Sequence, residues 1–177
     1  MPTQILRPNA TTSQTGMTPS SNIHSVINDN DDSTTAYQSS ATANYTVTFD
    51  DTTGLSGATI EKFVFSFRGV QDRRPSQTVT VTITDGAGQS YANFTLGGSG
   101  FTSTITTYDS SDFTNSTDGV TKFNASYIDG LSVLITPSSG GHRVIEEFIT
   151  VHYTVATAGI VTLTSGTTVL TNGTITL

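Results

Sequence analysis

The sequence predicts an all-β chain: an antiparallel β-sandwich of the jelly-roll kind with about eight strands, an extended N-terminal arm and a short β tail. Three observations predict it. Apolar residues recur at every second position in several short runs, as in "QTVTVTIT" at 77–84, the pattern of a half-buried antiparallel strand. Gly- and Asn-containing turn signals separate those runs at a spacing of about ten residues. Roughly a third of the residues are Ser or Thr, and a chain rich in β-branched Thr, Val and Ile but poor in Ala, Leu, Glu and Lys forms sheet more readily than helix.

Residues 1–40 carry little periodicity beyond "TQIL", and Arg7-Pro8, Gly16 and Pro19 break what there is. They read as an arm and loops packed on the body. The body proper is expected over 41–156. "YTVTFD" alternates Tyr45, Val47 and Phe49 against Thr46 and Thr48, and "IEKFVFSFRG" puts Phe63, Phe65 and Phe67 on the core face and Lys62, Val64, Ser66 and Arg68 on the other. Val79, Val81 and Ile83 face inward in the next run, "DGAG" turns the chain through Gly86 and Gly88, and "SYANFTL" returns with Phe94 inward; glycine supplies the positive φ that such hairpin loops demand. "FTSTITTYD" reads as a strand, and "SSDFTNSTDGVTKFNAS" as a long polar connection with room for one helical turn. "LSVLITP", with Val133 and Ile135, and "VIEEFITVHYTV", with Ile149, Val151 and Tyr153, complete the expected core. Glu147 shares the face of Ile149, so a bulge or strand start near Phe148 is expected to turn it out of the core.

From Ala156 the composition changes to "ATAGIVTLTSGTTVLTNGTITL", short Thr-rich runs divided by Ser165-Gly166 and Asn172-Gly173. Residues 157–177 read as a β-hairpin tail, a segment that can add to an open sheet edge of its own or a neighbouring chain. Ile5, Leu6, Val161, Leu163, Val169 and Ile175 are therefore the candidate assembly contacts, within terminal stretches 1–19 and 159–177.

Charge excludes some functions. Seven basic residues face fourteen acidic ones, for a net charge of −7, whereas nucleic-acid affinity and attraction to anionic lipid both draw on Lys and Arg. Neither nucleic acid nor membrane is expected as a partner. The first residues lack the basic start and apolar run of a secretory signal. Without cysteine there is no disulfide, thiolate metal site or thiol nucleophile.

No catalytic constellation emerges. His24, His142 and His152 lie in the arm, after a Gly-Gly loop and on the outer face of the last strand, and G-x-S-x-G is missing. Glycoside cleavage needs two carboxyls on one cleft, but Glu146 and Glu147 are adjacent in a strand and point to opposite faces. Catalytic residues and bound cofactors are thus expected to be none. "NDNDDS" at 28–33 is the densest polar run. Asp29, Asp31 and Asp32 are its candidate calcium ligands, set against the alternative in which they cap backbone N–H groups in a turn. There is no Trp to serve as a carbohydrate platform; Tyr37, Tyr91, Tyr108 and Tyr127 could serve as one, and core or sheet-face packing explains each of them equally well.

Taken in order, "ILRPN", "INDNDDSTTAY", "EKFVFSFRG", "VTVTITDGAG", "IDGLSVLITP" and "EEFITVHYTV" resemble a group of virion structural proteins of tailed bacteriophages, over residues 4–155. Those proteins are built on a jelly roll similar to galactose-binding modules. The resemblance implies a non-enzymatic virion component, made in the host cytoplasm: a capsid decoration or cement protein, or else a knob, spike or tail-fibre part that binds host glycans. Its implied partners are the major capsid protein or other virion proteins and further copies of itself in a homo-oligomer. Family members often carry Trp in the N-terminal part and the long loop, and this chain has none.

Overall fold

Alternation of Thr with Val, Ile and Phe gives each strand one apolar and one polar face, so two sheets must close over the apolar faces. The computed structural model, which describes residues 1–38, 42–71, 78–85, 90–96, 101–115, 121–138 and 142–155, has that form. Its elements are β1 (Thr3–Leu6), β2 (Pro8–Thr15), β3 (Met17–Thr18), α1 (His24–Ile27), β4 (Ala36–Gln38), β5 (Asn44–Phe49) and β6 (Ala58–Gln71). They continue with β7 (Val79–Thr84), β8 (Ser90–Leu96), β9 (Thr106–Asp109), α2 (Ala125–Ile128), β10 (Ser132–Pro137) and β11 (His142–Val155). The front sheet runs β3-β4-β11-β6-β9, with β1 also on β11, and the back sheet runs β2-β5-β10-β7-β8. All pairings are antiparallel, and the chain passes repeatedly from one sheet to the other, as in a jelly roll.

The interior is aliphatic and aromatic. Phe63, Phe65, Phe67, Val79, Val81, Ile83, Val133, Ile135, Ile149 and Val151 are fully buried, while Phe94 and Tyr153 are half-buried against them. Aromatic pairs add to it: Phe63 stacks on Phe113 at 4.8 Å and Phe67 on Phe101 at 5.3 Å between ring centroids. Burying each such ring contributes about 2–3 kcal/mol.

Three expectations are corrected. Residues 1–38 are more than an arm and loops packed on the body: β1, β3 and β4 join the front sheet and β2 pairs with β5 at the edge of the back sheet. Leu6, expected at an assembly surface, is core, because its inward position opposite Ile149 in the β1–β11 ladder leaves it 1% exposed. Glu147 is also inside. The bulge in β11 lies upstream, between Val144 and Glu146, and so alters the facing of residues before Glu146. Glu147 keeps the inward parity of Ile149 and Val151. Residues 86–88 of the DGAG turn and the tail, with Val161, Leu163, Val169 and Ile175, lie outside the described residues.

Candidate functional site

The β6–β11 ladder places Arg68 directly opposite Glu146, and the β6–β9 ladder places Thr107 beside Arg68. A polar row, Thr107, Arg68, Glu146, therefore crosses the outer face of the front sheet. Leu6 pairs with Ile149, and the next residue, Arg7, swings from the front sheet toward β2, which brings its guanidinium to Glu146. The loop after α1 folds over this row. There Asp32 takes both ends of the Arg68 guanidinium, Nε and Nη2 each donating at 2.8 Å, and Arg68 Nη1 also donates to Thr107 Oγ1 at 3.3 Å.

Between these walls is an open groove of about 640 Å³, lined by Ile5, Arg7, Asn30, Asp31, Asp32, Arg68, Thr107, Glu146 and Phe148. Ile5, 53% exposed, and half-buried Phe148 form its apolar side. The carboxylates hold their charge: the hydrogen bond from Arg68 keeps Asp32 below the usual carboxylate range, and the Ser33 N–H bond does the same for Asp31. Arg68 in turn is raised by its bond to Asp32. Glu146, at 5% side-chain exposure, has its charge matched by Arg7, since a buried carboxylate without a partner is strongly disfavoured.

The candidate calcium ligands do not converge. Asp29 Oδ1 accepts from the Asp31 N–H at 3.0 Å and its Oδ2 from Thr34 Oγ1 at 2.7 Å, while Asp31 Oδ1 accepts from the Ser33 N–H at 2.8 Å. These are turns closed by side-chain carboxylates, and Asp32 is committed to Arg68. Among the described residues no group of three or more His, Asp or Glu side chains is gathered as a metal site would require. Glu146 and Glu147 point to opposite faces, as their adjacency in a strand demands. His24 Nδ1 is engaged with Thr11 Oγ1 at 2.9 Å, away from the groove.

Sequence reasoning singled out neither Arg7, Arg68 nor Phe148 for the site, although Arg68 was expected to face outward. Only the β6–β11 register brings Arg68 to Glu146, and no local spacing encodes that register.

No family model matches the chain, and no curated protein matches it. Among solved structures, the chain is similar to the C-terminal CBM6 of LamC, a marine laminarinase from Zobellia galactanivorans, at 8% identity and a TM-score of 0.46, over 85% of this chain and 98% of that one.

Proposed function

We propose that this chain is a non-enzymatic recognition module that holds a neutral glycan in the front-sheet groove, as a knob, spike or tail-fibre component of a bacteriophage virion. The carrying observation is the groove's mixture of groups: two guanidinium–carboxylate pairs, an amide and a hydroxyl beside the apolar Ile5–Phe148 side. A pyranose offers that mixture in reverse. Its hydroxyls donate to carboxylates and accept from guanidinium N–H groups, and its C–H face packs on apolar side chains. Binding without cleavage is supported by Asp31 and Asp32, whose hydrogen bonds favour the charged form, whereas a glycosidase needs a carboxyl held protonated as a proton donor. The ordered sequence resemblance supports the virion setting.

A glycan array followed by calorimetric titration tests this reading. Binding to at least one neutral glycan is expected. Phe148→Ala should weaken it by on the order of tenfold, through loss of apolar contact. A flat response to all sugars would sink the reading.

One observation favours a second reading, a capsid decoration protein held through its ends. Met1 and Val155 are 67% and 60% exposed, and both lie where β1 runs beside the end of β11, with the Tyr153 N–H donating to Pro2 O. Cryo-electron microscopy of purified particles would then show many copies anchored at this edge on the capsid shell.

A further inference from the structure

The five strands of the back sheet contain no Asp, Glu, Lys or Arg, although the chain carries 21 such residues and a net charge of −7. Charged strand residues are concentrated in the front sheet, at Glu61, Lys62, Arg68, Asp109, Arg143, Glu146 and Glu147. Outward positions of the back sheet instead hold rows of hydroxyls and amides. One row runs Ser13, Thr46, Leu134, Thr82, Asn93, and the row beside it includes Thr48, Ser132 and Thr84. Ordinary soluble surfaces intersperse both signs of charge, and loss of charged residues is the compositional mark of an interface centre.

From this we infer that the outer face of the back sheet is where two copies of this chain pair, about a twofold axis passing beside Leu134. The occupant is a second copy for three reasons. Two acidic copies repel each other overall, and a face without charged strand residues adds no close like-charge pair to that repulsion. Each hydroxyl both donates and accepts, so such a face can hydrogen-bond to itself, which a face of carboxylates cannot do. The Thr80, Thr82 and Thr84 hydroxyls have no partner within the described residues, and so are free for that purpose. Finally, Leu134 is an outward, half-buried apolar side chain on the middle strand, between Thr46 and Thr82. A twofold axis there sets it against its own copy at the centre of the contact, the part of an interface that is most apolar and most fully removed from water. Two sheets packed this way lie about 10 Å apart.

Sedimentation velocity over a wide concentration range tests the inference. The wild-type chain should show a reversible monomer–dimer equilibrium that tightens with added salt, because screening reduces the repulsion of like-charged bodies. Leu134→Glu should raise the dimer dissociation constant by on the order of 100-fold, as two carboxylates then face each other across the axis. Thr82→Lys, a milder change on the same row, should weaken the dimer too. Thr59→Glu, an exposed site on the front sheet, should leave it unchanged. Circular dichroism and melting temperature establish that each variant is folded. A chain monomeric at all concentrations, or a dimer indifferent to both back-sheet variants, overturns the inference. A monomer that binds polysaccharide and loses it on Thr82→Lys would assign the face to a glycan, and also overturns it.

Discussion

Tyr45 and Glu147 meet between the two sheets, 1% and 0% exposed, with the phenol O–H donating to Glu147 Oε1. Oε2 has no partner, which costs far more for a carboxylate than for a neutral acid. Burial therefore pushes the Glu147 carboxyl up from 4.5 to about 8, against a smaller downward pull from the Tyr45 bond. The Tyr45 phenol is likewise held neutral, by burial first and by the neighbouring carboxyl second. Because the folded-state value lies above the unfolded one, the group's contribution to stability is complete below pH 4.5 and is lost as pH rises through about 8. Urea unfolding at successive pH values should show the wild-type chain losing a few kcal/mol across that window. Glu147→Gln, which keeps an acceptor for Tyr45 and cannot ionise, should flatten the profile. A variant with the wild-type slope would mean that another group titrates. Tyr45→Phe should cost about 1–3 kcal/mol at neutral pH, since it leaves both oxygens of a buried acid unpaired. Nothing near Glu147 in the sequence announces this pair. Its partner is 102 residues away, and the local alternation, read alone, set an acid on an apolar face and made a re-aiming bulge the natural expectation.

At the scale of strands, legibility followed the range of the interactions. The inward settings of Phe63, Val81 and Ile149 are written in a period of two, which each strand carries within itself. The pairing of β1 and β2 with the body is not, because short polar strands such as "ATTSQT" gain their place from partners distant in the chain. The groove shares that fate: Arg68 and Glu146 each looked like a solvated surface residue until the ladder joined them. Val81→Asp and Thr80→Asp separate the two faces of β7. The first puts a charge in the core and should prevent folding. The second should change monomer stability by less than about 0.5 kcal/mol, and equal damage would mean the facing is wrong. The β6–β11 ladder has its own test at Gly69, which pairs with Val144 beside the bulge. A Cβ added there would lie 2.6 Å from the Phe67 ring and 2.9 Å from the Arg143 carbonyl oxygen. Gly69→Ala should thus lower stability by about 1–3 kcal/mol in thermal or urea unfolding, the usual cost of overpacking. Because Gly69 adjoins Arg68, it should also disturb the groove.

For the molecule as a whole, the division of charge between sheets fixes what a dimer could do. The groove is on the outer face of the front sheet, and the proposed pairing uses the outer face of the back sheet. Two copies joined back to back therefore present their grooves in opposite directions. Linked sites strengthen binding only where geometry lets both engage at once, and one flat surface cannot meet both grooves. Dimerisation should leave the apparent affinity for a single glycan-coated chip unchanged, so wild type and Leu134→Glu should give matching equilibrium responses there per protomer. Two separate surfaces can be bridged, however. Glycan-coated beads should be clumped by the wild-type chain at concentrations where the dimer forms. Leu134→Glu should coat the beads equally well and leave them dispersed, while Phe148→Ala should dimerise normally and need about tenfold more protein to coat them. Clumping by the monomeric variant would place a second glycan site on one copy. A dimer that gains affinity on the flat chip would mean that its grooves lie on the same side, and a back-to-back arrangement could not survive that result.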